Sequence, residues 1–158
     1  MGSTNRNRAY RYDESAGEGT TVYVVDTGVF GGHIVFRGRV AHGANTVDSD
    51  NRDGNGHGTH VAGIVSQVAK RASIVSVKVL GATGMGTTQS VIAGLDWLKT
   101  HAQSTGVVSK AVVNLSLGFP LSRAMNLAAE ALVDAGLTLV AGVRGFPAPT
   151  DSVRMLTS

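Results

Sequence analysis

The residues TVYVVDTG at positions 21–28 give the clearest indication of the fold class of this chain. The first five of them are a continuous run of β-branched and aromatic side chains, which is typical of a parallel strand buried on both faces. The next three residues, Asp26, Thr27 and Gly28, form a turn signal, so the strand ends at a carboxylate. A buried parallel strand needs helical connections to its neighbours. The flanking sequence should therefore alternate between helices and further strands.

The rest of the chain shows that alternation. Apolar runs predict strands at residues 73–80, 111–117 and 137–141. Segments of helical period predict one helix from His57, one over residues 88–102 and one from Ser122 to Gly136. Their expected core-facing stripes are Val61, Ile64, Val65 and Val68; Val91, Ile92, Leu95 and Leu98; and Met125, Ala128, Ala129 and Leu132. This order predicts an α/β fold of three layers, with a mostly parallel sheet and helices on both faces.

Asp26 is the first candidate functional residue. Active groups in such folds lie beyond the carboxyl ends of the strands, where Asp26 and Gly118 both stand. The alternative is a turn aspartate that caps the following loop. Asp-Thr-Gly also occurs in aspartic proteases, but these need a second such aspartate on an all-β fold, and this sequence predicts neither.

His57 is the second candidate, within the stretch DGNGHGTHVAG at residues 53–63. The small residues around it let other backbone approach closely, which a histidine that merely fills a core does not require. His57 and His60 are also three residues apart, which raises the possibility of a metal site. Metal-binding helices instead place histidines four apart with an acid between them, so we interpret this stretch as a histidine held at a tight helix start.

The acidic residues 48–54 resemble a calcium-binding loop, but the resemblance fails at two positions. Arg52 occupies a ligand position, and Thr59 stands where the closing glutamate belongs. We interpret the segment as a surface loop and predict no metal site.

Composition narrows the function classes. The chain has 158 residues, of which 42% are hydrophobic and 16% charged, which suits one domain with its own core. It has no cysteine, which excludes thiol catalysis, thiolate metal sites and disulfides. The net charge is +3, and we interpret the cluster of Arg6, Arg8 and Arg11 as a solvated terminus rather than a nucleic-acid arm. No stretch approaches the ~20 apolar residues of a membrane span, and the first twenty residues contain no signal peptide.

These motifs together resemble the subtilase family of serine endopeptidases, and within it the proteinase-K-like branch. The matching text lies at residues 12–17, 22–28, 52–63, 77–80, 92–94 and 115–118. The resemblance extends from about residue 10 to residue 141 and gives the same order of elements. It implies a subtilisin-like fold, peptide-bond hydrolysis by an Asp-His-Ser mechanism, a polypeptide substrate or propeptide as partner, and secretion.

The resemblance also assigns residues to roles. It implies that Asp26 orients the catalytic imidazole and that His57 is the general base. It further implies that two segments clamp an extended peptide by strand addition, and these are Gly84, Met85 and Gly86 on one side and Ser116, Leu117 and Gly118 on the other. The alternative for residues 84–86 is an ordinary glycine-rich loop, and a phosphate-binding loop is excluded because no lysine follows.

The sequence departs from the family pattern in its last part. No asparagine occurs in residues 137–158 to stabilise an oxyanion, and the Gly-Thr-Ser-Met-Ala motif of the nucleophile is absent. We therefore expect residues 1–158 to be part of a catalytic domain, incomplete on its carboxyl side and inactive as this chain, with residues 142–158 a divergent tail. No cofactor is expected. Calcium is possible in the full-length family, but no site for it is identifiable here.

Two other functions remain open from the sequence. The first is a non-catalytic protein that grips a peptide or a protease propeptide with the retained cleft. The second, which the family text argues against, is a flavodoxin-like module that binds a small cofactor.

Overall fold

The computed structural model describes residues 12–118 and 122–142, and these form one five-stranded parallel sheet with three α-helices. The strands are β1 (Thr21–Asp26), β2 (Val40–Asn45), β3 (Ser73–Lys78), β4 (Ala111–Leu115) and β5 (Thr138–Ala141). The helices are α1 (His57–Val68), α2 (Thr88–Ser104) and α3 (Arg123–Asp134). The arginine cluster at residues 6–11 and all but the first residue of the expected tail at 142–158 lie outside the described residues.

The strand β1, which the sequence predicts from residues 21–25, lies at the centre of the sheet. The strand order is β2-β3-β1-β4-β5, so β1 pairs on both sides, with Asp26 opposite Lys78 of β3. Alternate β1 side chains enter different cores. Tyr23 and Val25 pack with α2 and α3, whereas Val22 and Val24 pack on the other face with α1. The expected three-layer α/β fold is confirmed.

The stripes expected on α2 and α3 are confirmed, because their central members are buried: Val91, Leu95, Leu98, Met125, Ala129 and Leu132. Ser122 caps α3 by accepting a hydrogen bond from the Met125 backbone N–H. Gly136 ends that helix with a φ of 92°, a conformation that favours glycine.

The stripe expected on α1 is wrong in part. Ile64 and Val68 are 53% and 58% exposed, and the buried face consists of Gly58, Ala62 and Ser66. The reason is close approach, because a Cβ atom at Gly58 would overlap the carbonyl oxygen of Gly28. A helix this near to its neighbours buries small side chains and leaves larger apolar ones outside.

The edge strand β2 was not predicted from the sequence. Its residues VAHGAN mix polar and small apolar side chains, so they give neither an apolar run nor a clear alternation. In the structure two of the six are exposed and four are partly buried. Two predicted strands also end two residues early, at Lys78 and Leu115. The residues beyond these ends run to the candidate site.

No helix in the described part of the chain is long and apolar enough to cross a membrane.

Candidate active site

Asp26 and His57 form a hydrogen-bonded pair at the carboxyl edge of the sheet. Asp26 ends β1 and is fully buried, whereas His57 begins α1 with its side chain 48% exposed. The His57 Nδ1 atom lies 2.9 Å from Oδ1 and 2.8 Å from Oδ2 of Asp26. An ionised carboxylate only accepts hydrogen bonds, so Nδ1 is the donor, and in the neutral imidazole Nε2 then keeps a free lone pair. This tautomer can accept a proton through Nε2.

The position of Asp26 is fixed through both its backbone and its side chain. Its Oδ1 atom accepts a hydrogen bond of 2.7 Å from the Thr27 N–H. Its carbonyl oxygen accepts hydrogen bonds from the N–H groups of Val79 and Leu80. The first turn of α1 rests directly on this aspartate, because a Cβ atom at Gly58 would lie 3.0 Å from the Asp26 Cβ.

A cleft of about 450 Å³ opens beside the exposed face of His57. Its other lining residues are Thr27, Asn55, Leu80, Gly84, Met85, Gly86, Ser116, Leu117 and Gly118. The structure therefore brings His57 and all six predicted cleft residues together around one cavity. Asp26 does not line the cleft and reaches it only through the imidazole.

The two segments on the sides of the cleft differ in how they are held. In the first, Met85 is 75% exposed, and its carbonyl oxygen accepts a hydrogen bond of 2.9 Å from the Gly81 N–H. In the second, Leu117 is buried, but residues 116–118 make no backbone hydrogen bond with the described part of the chain. The backbone N–H and C=O groups of residues 116–118 are therefore available to pair with an added polypeptide strand.

Ser116 lines the same cleft as His57, but its hydroxyl is hydrogen-bonded elsewhere. Its hydroxyl donates a hydrogen bond of 2.9 Å to the side-chain oxygen of Asn114. In residues 12–118 and 122–142, no hydroxyl is hydrogen-bonded to the imidazole of His57.

The loop interpreted from sequence as a plain surface loop is anchored to the sheet. Lys78 is buried, and its ammonium group donates to Asp48 Oδ1 and to the carbonyl oxygens of Asp50 and Arg52, at 3.1, 2.6 and 3.2 Å. Hydrogen bonds from Arg52 also lower the pKa of Asp50 to about 2. No cluster of three metal-ligating side chains occurs among the described residues.

Asp53, in the same loop, bears on the site but was not singled out from the sequence. Its carboxylate accepts hydrogen bonds from Thr27, Thr59 and two backbone N–H groups. An available signal was its place four residues before His57, since an aspartate ahead of a helix start commonly binds free backbone N–H groups.

The chain is similar in sequence to a known protein family and to several of its members. The sequence profile of the subtilase family matches residues 17–142. The chain is 52% identical over 135 residues to Subtilisin-like protease 3 of Arthroderma otae. The aligned region covers 83% of this chain and 34% of that protein. The chain is equally identical over 134 residues to Subtilisin-like serine protease Pen ch 13 of Penicillium rubens, again with 34% of that protein covered. The chain thus spans about a third of the length of the curated relatives it matches.

A solved structure is similar in fold as well as in sequence. The crystal structure of a cold adapted subtilisin-like serine proteinase superposes with a TM-score of 0.75 at 40% identity. The match covers 83% of this chain and 48% of that chain.

Proposed function

The chain belongs to the subtilase family, and on that premise we propose that it is part of the catalytic domain of a serine endopeptidase that cleaves polypeptides. The observation that carries the proposal is the contact between His57 Nδ1 and both oxygens of the buried Asp26. Secretion, which the family resemblance implies, belongs to the same proposal.

In the proposed mechanism, His57 acts through its free Nε2 atom. It takes the proton from a serine hydroxyl as the oxygen attacks the peptide carbonyl, and it returns that proton to the leaving amine. Asp26 holds the imidazole in the tautomer that allows this and stabilises the imidazolium once it forms. Because Asp26 is buried beside the ring, its negative charge is little screened by water.

Substrate binding is proposed for the six predicted cleft residues. An extended peptide would lie between residues 84–86 and residues 116–118, with backbone groups pairing on both sides. The absence of backbone hydrogen bonds between residues 116–118 and the rest of the described chain supports this arrangement.

The 158 residues by themselves are proposed to be inactive. The family's nucleophile motif is not among them, and Ser116, the serine that lines the cleft, donates its hydrogen bond to Asn114. The nucleophile and the oxyanion-binding amide would have to come from additional sequence.

Fluorophosphonate labelling tests this proposal. We define the joined protein as residues 1–142 followed by the part of the Penicillium rubens relative that comes after its matched region. We expect the probe to label a serine in the added part of the joined protein and to leave the 158-residue chain unlabelled. Labelling of a serine in the 158-residue chain, or a folded joined protein that does not react, would contradict the proposal.

A non-catalytic peptide-binding function is the second candidate, because the cleft is formed although the nucleophile motif is absent. The 158-residue chain should then bind an extended peptide. Gly118→Pro, which removes a backbone N–H, should weaken binding, whereas Gly118→Ala should preserve it. Equal binding by both variants would show that the peptide does not use this edge.

A further inference from the structure

The carboxylate of Asp53 connects the end of β1 to the start of α1. Its Oδ1 atom accepts hydrogen bonds from Thr27 Oγ1 at 2.8 Å, from the Gly56 N–H at 2.8 Å and from the Asn55 N–H at 3.1 Å. Its Oδ2 atom accepts from the backbone N–H of Thr59 at 2.9 Å and from the hydroxyl of the same residue. One side chain thus holds three segments in a fixed arrangement.

The two threonine hydroxyls extend this connection. Thr27 Oγ1 accepts a hydrogen bond of 3.0 Å from the Gly58 N–H, and Thr59 Oγ1 accepts one of 2.9 Å from the Phe30 N–H. Thr27 is the chain neighbour of Asp26, and Gly56 and Gly58 are the two chain neighbours of His57. The network therefore surrounds the Asp26–His57 pair, and it contacts the Asp26 side chain through the Thr27 N–H, which donates to Asp26 Oδ1.

The chemistry of the network requires a carboxylate. Burial by itself would raise the pKa of Asp53, but the hydrogen bonds from Thr59, Gly56 and Thr27 outweigh it and hold the pKa below its ordinary value. Both oxygens then act only as acceptors, which suits five donors. An asparagine of the same size would place an NH₂ group against one set of donors.

We propose that Asp53 is a positioning residue for the Asp26–His57 pair, because it fixes the first turn of α1 against the end of β1. Its importance for peptide hydrolysis rests on the proposed function, but its effect on the geometry of the pair does not. Loss of the carboxylate would let His57 move relative to Asp26, and displacements of about 1 Å in a catalytic group can cost ~10²-fold in rate.

The test uses the 158-residue chain and the low-field proton resonance of His57 Nδ1–H, which is strongly deshielded while that proton is held by the carboxylate of Asp26. We expect Asp53→Asn to abolish this resonance while the far-ultraviolet circular dichroism stays that of the original chain. Asp50→Asn is the matched control, because Asp50 lies in the same loop but pairs with Arg52, and it should leave the resonance unchanged. A folded Asp53→Asn variant with the original resonance would overturn the proposal, as would an original chain without it.

A second pair of variants, at Thr27, tests the positioning role of Asp53 if Asp53→Asn does not fold. Thr27→Val keeps the shape of the side chain but removes the hydroxyl that joins Asp53 to Gly58, and it should lose or shift the resonance. Thr27→Ser restores the hydroxyl and should restore the resonance. Retention of the original resonance in Thr27→Val would overturn the proposal.

The His57 resonance does not require a nucleophile, so it can contradict the positioning role independently of the proposed function. A resonance that depends on Asp53, in a chain whose joined protein does not react with fluorophosphonate, would retain the positioning role and remove the proposed function. A joined protein that reacts, together with a resonance that does not depend on Asp53, would retain the proposed function and remove the positioning role.

Discussion

Asp26 and Asp53 are both aspartates, but their hydrogen-bond partners allow them different chemical roles. Asp26 is fully buried and uses both oxygens for one imidazole, so its charge acts on a group that can change its protonation. Asp53 uses both oxygens for hydroxyls and backbone N–H groups that stay protonated. The first can therefore take part in acid–base chemistry, whereas the second can only hold its neighbours in place.

The carboxylates of the 48–53 loop predict how stability responds to acid. Hydrogen bonds from Arg52 lower the pKa of Asp50 from an ordinary 3.8 to about 2. A lowered folded-state pKa means that the unfolded chain binds the proton first, so this contribution is complete above about 3.8 and is lost as the pH falls to about 2. Urea unfolding across that range should show a smaller loss of stability in Asp50→Asn than in the original chain. Identical losses in the two proteins would contradict the assignment.

Sequence reasoning found the candidate residues that lie in continuous motifs. Asp26 follows an apolar strand, His57 lies among glycines at a helix start, and the six cleft residues lie in two short segments that the structure places around one cavity. It missed Lys78 because its partner Asp48 is 30 residues away in the chain, and such a contact leaves no local pattern. It missed Asp53 for a different reason. The local signal ahead of the helix start was present, but the contact that links Asp53 to β1 is with Thr27, which is 26 residues away.

At the scale of elements, the packing of α1 shows why its orientation was only partly predicted. Apolarity alone favours burial of Ile64 and Val68, yet both are largely exposed. The helix instead presents Gly58 and Ala62 to the sheet, and this close approach brings His57 within hydrogen-bond reach of Asp26. A periodicity of apolar residues reports which side chains prefer burial, but it does not report how closely two backbones approach.

Two glycines of α1 provide a matched test of this close approach. A Cβ atom at Gly58 would overlap the Gly28 carbonyl, whereas one at Gly63 meets nothing within 4 Å. Gly58→Ala should therefore lower the free energy of unfolding by ~1–3 kcal/mol through overpacking. Gly63→Ala should leave it unchanged or raise it by up to ~1 kcal/mol, because alanine favours the helix. Chemical denaturation measures both, and equal effects would contradict the packing described for α1.

At the scale of the whole molecule, the described residues leave apolar surface and sheet edges uncovered. Phe30, Ile34, Ile64 and Val68 are each more than half exposed. The strands β2 and β5 form the two edges of the described sheet, and β5 has the sequence TLVA. Unpaired edges and exposed apolar side chains both favour contacts between molecules.

The 158-residue chain should therefore associate and melt with low cooperativity. Sedimentation velocity should show a sedimentation coefficient that rises with protein concentration. Replacing Ile64 and Val68 by Gln should reduce the association without lowering the melting temperature, because both side chains are already exposed. A monomer at all concentrations with a sharp cooperative melt would contradict this expectation.

In the proposed mechanism His57 performs the acid–base chemistry of peptide hydrolysis while Asp26 holds and stabilises its imidazole. Peptide turnover by the joined protein tests this claim. His57→Ala should lower kcat by ~10⁶-fold and Asp26→Asn by ~10⁴-fold. His60→Ala, which changes an exposed histidine one turn further along α1, should leave kcat within a few-fold of the original. Turnover in His57→Ala equal to that of the original joined protein would contradict the claim.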